Sequence, residues 1–292
     1  MNMKKLMTAF LTLVMMTPVS HVFADSERYL VLGKDLSTSE KATVLNLLGV
    51  TNEADYNVSY ITHADETKYL GNYISASEIG SRALSSVVME KQSTNAGISV
   101  TTKNITYCSA EMYQNALITA GVKDVKLTVA GPFKISGTAA LVAATKSYEI
   151  MTGKTLNSTA VDTANNEISV TSDAAKEVGS GDAAKLVASL KQKVAAMGDD
   201  YTRSSGEDAL KELENTMNIQ LSDDTEDEIL DLMDKMKNVN LNEDEIKTQA
   251  KDIYESIKGY ASQITGNTGF LSSIAQKVKD FLSTIIGFFT GN

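Results

Sequence analysis

A single thiol limits how this chain can hold itself together. Cys108 is its only cysteine, yet the chain opens as an exported one does, with MNMKKLMTAFLTLVMMTPVSHVFA. Lys4 and Lys5 form a basic start, Leu6 to Met16 a short apolar run, and Val22 and Ala24 occupy the small-residue positions of a cleavage site. This predicts a signal peptide over 1–24, cleaved after Ala24, because the apolar run is too short to span a bilayer comfortably. The segment holds no cysteine to carry a lipid anchor. Outside the cytosol a lone thiol cannot form an internal disulfide. The fold must therefore rest on buried apolar area, which a chain of 292 residues can supply.

Residues 25–152 alternate strand and helix signals. "LVLG" from Leu30 reads as a strand, and "STSE" as a capping box with Ser37 as N-cap and Glu40 three residues on. That helix should stop at Gly49, which tolerates the left-handed C-cap conformation. "NVSYIT" is a strand, "THADETKYLG" a short helix from Thr62 to Gly71, and "SASE" at Ser75 a further capping box. "LSSVVMEK" and "GISVTTKNIT" alternate as strands, and "QSTNAG" between them predicts a hairpin. A helix from Ser109 to Gly121, the strand "VKDVKLTVAGP" and a helix capped by Ser136 and ended by Gly153 complete the segment. The expected fold is α/β (α+β): a small mixed β-sheet with helices on one face, then an all-α C-terminal region.

Residues 153–205 read as a polar, helical connecting region, with "EISVTS" as a short strand or an extended link. Residues 206–267 are acidic and helical, with apolar stripes at Ile229, Leu232, Met233, Met236 and at Ile246, Ala250, Ile253, Tyr254, Ile257. Residues 268–292 form an amphipathic helix. Leu271, Ile274, Val278, Phe281, Ile285 and Phe288 recur at steps of three and four as a candidate interaction face. Spanning a membrane would place Lys277, Lys279 and Asp280 near the bilayer centre at about 2.5–3.5 kcal/mol each. No transmembrane span is expected in the mature chain. The helix docks on its own protein or a partner, or lies on a membrane surface.

The formal net charge is -10, and loss of Lys4 and Lys5 with the signal takes it to -12. Nucleic acid is excluded as a partner, since phosphate binding needs clustered Lys and Arg. Reactive side chains are sparse. "MTGKT" at Met151 lacks the first glycine of a phosphate-binding loop, because Tyr148 stands there, and it closes a helix instead of opening one. His63 reads as a surface imidazole beside Asp65 and Glu66, with no second ligand at metal spacing. Cys108 precedes the Ser109 cap, where an apolar side chain staples onto the residue four into the helix, Tyr113. The helix start "SGTAAL" offers N–H groups to an anion, while Ala139, Ala140, Ala143 and Ala144 favour close packing on a sheet. The acidic run from Asp223 to Glu228 lacks calcium-loop spacing. No catalytic, cofactor-binding or metal residue is nominated, and no cofactor is implied.

The segments "LGKDLS" with "LLGV", "DETKYLG", "IGSRALSSVVME", "GISVTTKNIT", "NALITAGVKDVKLTVAGPFKISGTAAL" and "SYEIMTGKTL", in this order and spacing, resemble the YpuA-like secreted proteins of Gram-positive Firmicutes. The likeness runs from about Leu32 to Met197. It implies an extracytoplasmic protein of a family without established activity and carries over no site residue. The expectation is a secreted or cell-surface protein that binds a protein, a peptide or the cell surface without catalysis. The alternative is a carboxylate-dependent hydrolase of wall glycan or peptide, which needs two carboxylates across a cleft, for instance among Glu78, Glu90 and Glu111.

Overall fold

The computed structural model describes residues 28–239. The expected signal peptide 1–24, the stripe from Ile246 to Ile257 and the candidate face Leu271, Ile274, Val278, Phe281, Ile285 and Phe288 lie outside the described residues. Among the described residues, no helix is long and apolar enough to cross a membrane.

The chain runs β1 (Arg28–Gly33), α1 (Thr38–Leu48), β2 (Asn57–Ile61), α2 (His63–Leu70), α3 (Ala76–Ile79), β3 (Ser86–Lys91), β4 (Ile98–Ile105) and α4 (Ala110–Thr119). It continues β5 (Val125–Ile135), α5 (Thr138–Thr152), α6 (Ser158–Val178), α7 (Ser180–Met197), α8 (Arg203–Met217) and α9 (Asp223–Met236). The α+β class with a later helical region is therefore observed. The sheet order is β2-β1-β3-β5-β4, with β1/β2 and β4/β5 parallel and β1/β3 and β3/β5 antiparallel.

Local signals set most element ends. Ser37 and Glu40 form the reciprocal capping box of α1, and Gly49 closes it in the left-handed conformation. Thr62 and Asp65 do the same for α2. Ser109 caps α4, and Gly153 ends α5 at a φ of 64°.

Four expectations are corrected. β3 and β4 are not a hairpin, because β5 lies between them. Val125, Leu127, Val129 and Ala130 of β5 are all buried, whereas β4 exposes Ser99, Thr101 and Lys103. The more continuously apolar strand takes the inner slot, and the one-sided strand takes the edge. The loop then bonds to the start of β5, with the Gln92 N–H donating to the Asp124 carbonyl at 2.8 Å. Second, "EISVTS" is neither strand nor link but part of the 21-residue α6. Ala160, Ala164, Ile168, Thr171 and Ala174 are buried at helical spacing, so packing overrides the β-branched propensity. Third, the N-cap of α5 is Gly137, at a φ of 95°, instead of Ser136.

Fourth, helices cover both faces of the sheet, not the one face expected. Val31, Val87, Met89, Leu127 and Val129 meet α2, α4 and α5. Leu30, Leu32 and Val88 point the other way, onto Val44 and Leu48 of α1. A second apolar cluster joins α6 to α9, taking in Ile229, Leu232, Met233 and Met236. A fully buried aliphatic side chain contributes about 1.5–3 kcal/mol, so a few such residues match the roughly 2–4 kcal/mol of one disulfide. Leu30, Ile61, Leu117 and Leu127, all fully buried, supply that much without a covalent staple.

Candidate functional site

The candidate site is a cleft of about 300 Å³ where α2, α3, the start of β3 and the β5–α5 turn converge. Its construction starts at α2. The side chain of Asp65, besides closing the Thr62 capping box, accepts a 2.6 Å ion pair from Lys146 on α5. That clamp places the next residue, Glu66, against the first turn of α5. Glu66 accepts from the Thr138 hydroxyl and from the Ala139 N–H, and the Ala140 N–H donates to Ser85 Oγ at 2.9 Å. The start of α5 is thus capped from α2 and from the residue before β3, since Gly137 has no side chain to do it. Glycine is required at 137: an added Cβ would meet the Tyr113 hydroxyl and Ile105, each at 2.6 Å. These bonds use N–H groups that an external anion would need. Ala139, Ala140, Ala143 and Ala144 are buried beneath them, so this helix start is a packing element.

Two adjacent carboxyls are driven in opposite directions. Lys146 and Thr62 hold Asp65 down at about 2. Burial pushes Glu66 up to about 7, against the Thr138 bond, and the nearby charge of Asp35 adds to the rise. Glu66 is 1% exposed, and its Oε2 has no hydrogen-bond partner. Neighbouring groups with opposed shifts are a recurrent mark of functional sites.

Glu78 also lines the cleft, from α3, and is exposed. Arg82 lines it too, but its guanidinium is bound by Glu40 at 2.6 Å and by the Asp35 carbonyl at 2.7 Å. Phe133, half exposed, stands at the cleft beside these groups.

The residues considered from sequence divide. Of Glu78, Glu90 and Glu111, Glu78 alone reaches the cleft. Glu90 pairs with Arg28 and Lys126, and Glu111 accepts from Ser109 at 2.9 Å. His63 is at the surface, its side chain 38% exposed, but its Nδ1 is sealed from solvent without a hydrogen bond, 4.0 Å from Glu66 Oε2, which is sealed in the same way. Among the described residues no group of three or more His, Cys, Asp or Glu could hold a metal ion.

Cys108 is buried in the core that contains Tyr113, and burial pushes its thiol up to about 12. A thiol so held is not a nucleophile near neutral pH. The native protein is expected to resist Ellman's reagent at pH 8 and to react fully in 6 M guanidinium; prompt native reaction would contradict this burial.

Glu66 belongs to no motif in the sequence. Its signal was register: Glu66 lies four residues before Leu70, on the face of α2 that is buried.

A family model described as "Protein of unknown function (DUF1002)" matches residues 32–253. A protein of Bacillus subtilis (strain 168) described as "Uncharacterized protein YpuA" is 34% identical over 254 residues, covering 87% of this chain and 85% of that protein. No solved structure matches the chain. The likeness read from the motifs agrees with both matches.

Proposed function

We propose, from the premise that this chain belongs to the DUF1002 family of proteins of unknown function, that it is an exported, envelope-associated binding module whose ligand enters the cleft between α3 and the β5–α5 turn. The observation that carries this reading is the cleft itself, an open concavity of about 300 Å³ that brings the buried Glu66 and the exposed Glu78 to one wall. Concave sites with a few convergent polar groups are where ligands bind. The signal-like residues 1–24 support export, and the apolar seam from Leu271 to Phe288 supports retention at a surface or partner.

The test is co-sedimentation of the mature protein, residues 25–292, with isolated Gram-positive cell envelopes. Ser81 lines the cleft and is exposed, so Ser81→Trp should fold normally and fill it. Retention is expected to drop about tenfold or more, the loss of at least 1.4 kcal/mol of binding. Equal retention of both proteins would defeat the reading. A companion without 268–292 measures the tail's separate share.

A second reading has one specific support. Glu66, partly protonated at neutral pH, shares the cleft with a second carboxyl, Glu78. An acid of that kind beside another carboxylate is the arrangement used in glycoside hydrolysis. Loss of wall turbidity that disappears in both Glu66→Gln and Glu78→Gln would establish it.

A further inference from the structure

We propose that a second cavity, walled by α2, α5 and the start of α6, holds a neutral saccharide. It shares no lining residue with the cleft between α3 and the β5–α5 turn, and the inference does not depend on what that cleft binds.

The cavity has a volume of about 410 Å³, within the range of small-molecule sites. Its inner group is Asn165 on α6, which lines it while being only 3% exposed. One amide N–H of Asn165 donates to the Tyr69 carbonyl on α2 at 3.2 Å and fixes the side chain across the space between the helices. The amide oxygen has no partner among the described residues, and it is not among the polar atoms sealed from solvent. It therefore opens on the cavity. A buried carboxamide is ordinarily bonded on both sides, so a half-used one on a cavity wall is a place for a ligand's hydrogen bond.

Charge decides the class of ligand. Lys146 on α5 lines the cavity but is held by Asp65 at 2.6 Å. Glu149 accepts the Leu156 N–H at 2.8 Å, and Asp162 accepts the Tyr73 hydroxyl at 2.5 Å, each through one oxygen. Lys68 pairs with no carboxylate among the described residues, and its ammonium stands over the Tyr69 ring at 5.2 Å. One spare cation and two half-used carboxylates thus share a small space, so neither an anion nor a cation meets a field of one sign. Carboxylates only accept and an ammonium only donates, whereas a hydroxyl does both. A ligand with several hydroxyls answers Lys68, Asn165, Glu149 and Asp162 together without a charge of its own. Tyr69, Leu156 and Val161 give the apolar C–H face of a sugar ring a surface to lie on.

A peptide fits less well. The walls are helices, whose backbone groups bond within the helix, so an extended main chain finds no ladder to join.

The experiment is calorimetric titration of the mature protein at pH 7 with neutral trisaccharides of N-acetylglucosamine, β-linked glucose and α-linked glucose. Trigalacturonate, triglucosamine and trialanine are the anionic, cationic and peptide comparisons. At least one neutral trimer is expected to bind, and to bind about tenfold or more tightly than the other three probes. The tightest neutral trimer identifies an acetamido sugar or a plain glucan as the source. Thr155 lines the cavity from the exposed loop before α6, so Thr155→Trp should fold normally, fill the cavity and abolish binding. Asn165→Ala should weaken binding about tenfold or more. That variant also gives up the Tyr69 bond, so Lys68→Ala, at an exposed position, supplies a test that does not depend on the core; it too should weaken binding about tenfold. Ser81→Trp, which fills the other cleft, should leave the affinity unchanged. Absence of binding by every neutral trimer, tighter binding of a charged trimer or of the peptide, or full affinity in Thr155→Trp would overturn the proposal. So would loss of sugar binding in Ser81→Trp, which would place the sugar in the cleft. If Ser81→Trp abolishes envelope retention while no saccharide binds, the saccharide inference falls and the cleft reading stands.

Discussion

Glu167→Ala is expected to lower the unfolding free energy by about 3–5 kcal/mol, because it leaves a buried lysine without its counter-charge. Lys191 on α7 is completely buried, and Glu167 on α6 is 1% exposed. Lys191 Nζ donates to Glu167 at 3.0 Å, to the Asn115 carbonyl at 2.9 Å and to the Thr119 hydroxyl at 3.1 Å. Thr119 in turn donates to the other oxygen of Glu167 at 2.5 Å. Three helices, α4, α6 and α7, therefore meet on one ion pair whose polar atoms are bonded to one another. Burial lowers the pKa of Lys191, and Glu167 opposes that shift. With Glu167 gone, the ammonium must shed its proton or regain water by opening the helix junction. The double variant Glu167→Leu with Lys191→Met removes both charges and should recover most of the loss, since buried pairs are often replaceable by apolar residues. Urea unfolding of the three proteins at constant slope measures this. A double variant as unstable as Glu167→Ala would mean that the bonds to Asn115 and Thr119, not the ion pair, hold the junction.

This pair and the cleft share a reason for escaping sequence inspection. Strand and helix signals act over a few residues, so Ser37 with Glu40, Thr62 with Asp65, and Gly49 could be read directly. The place of β5 between β3 and β4 could not, because pairing partners are chosen by which strand is apolar along its length. Glu167 lies three residues after the buried Ala164 and three before Val170, and Lys191 lies four residues after Val187 and three before Val194. Each charge falls on the apolar face of its helix. That register was visible, but it says only that a charge is buried, not which group from another helix meets it. Glu66 repeats the case: its place before Leu70 predicts burial, while Thr138 and Ala139 arrive from seventy residues away. Glu66, Glu167 and Lys191 are polar residues set into apolar stripes, where no motif marks them.

The native protein is expected to lose stability as pH rises from about 4.5 to about 7, and Glu66→Gln should remove most of that loss. The ordinary value for Glu66 is 4.5, and burial raises it to about 7 in the fold. Between those values the native state keeps a proton that the unfolded chain has released. Raising the pH strips it and leaves a buried anion, so this group's stabilisation is complete below 4.5 and gone above about 7. A shift of that size corresponds to about 3 kcal/mol. Asp65 and Glu40 act in the opposite sense at lower pH, since both are held down at about 2 and weaken the fold only as they are protonated. Gln at 66 keeps an acceptor for Thr138 and Ala139 but cannot ionise. The difference between wild-type and variant unfolding curves, measured from pH 4 to 8, should therefore grow by about 3 kcal/mol in favour of the variant. A flat difference would show that Glu66 ionises without cost and that its burial carries no functional meaning.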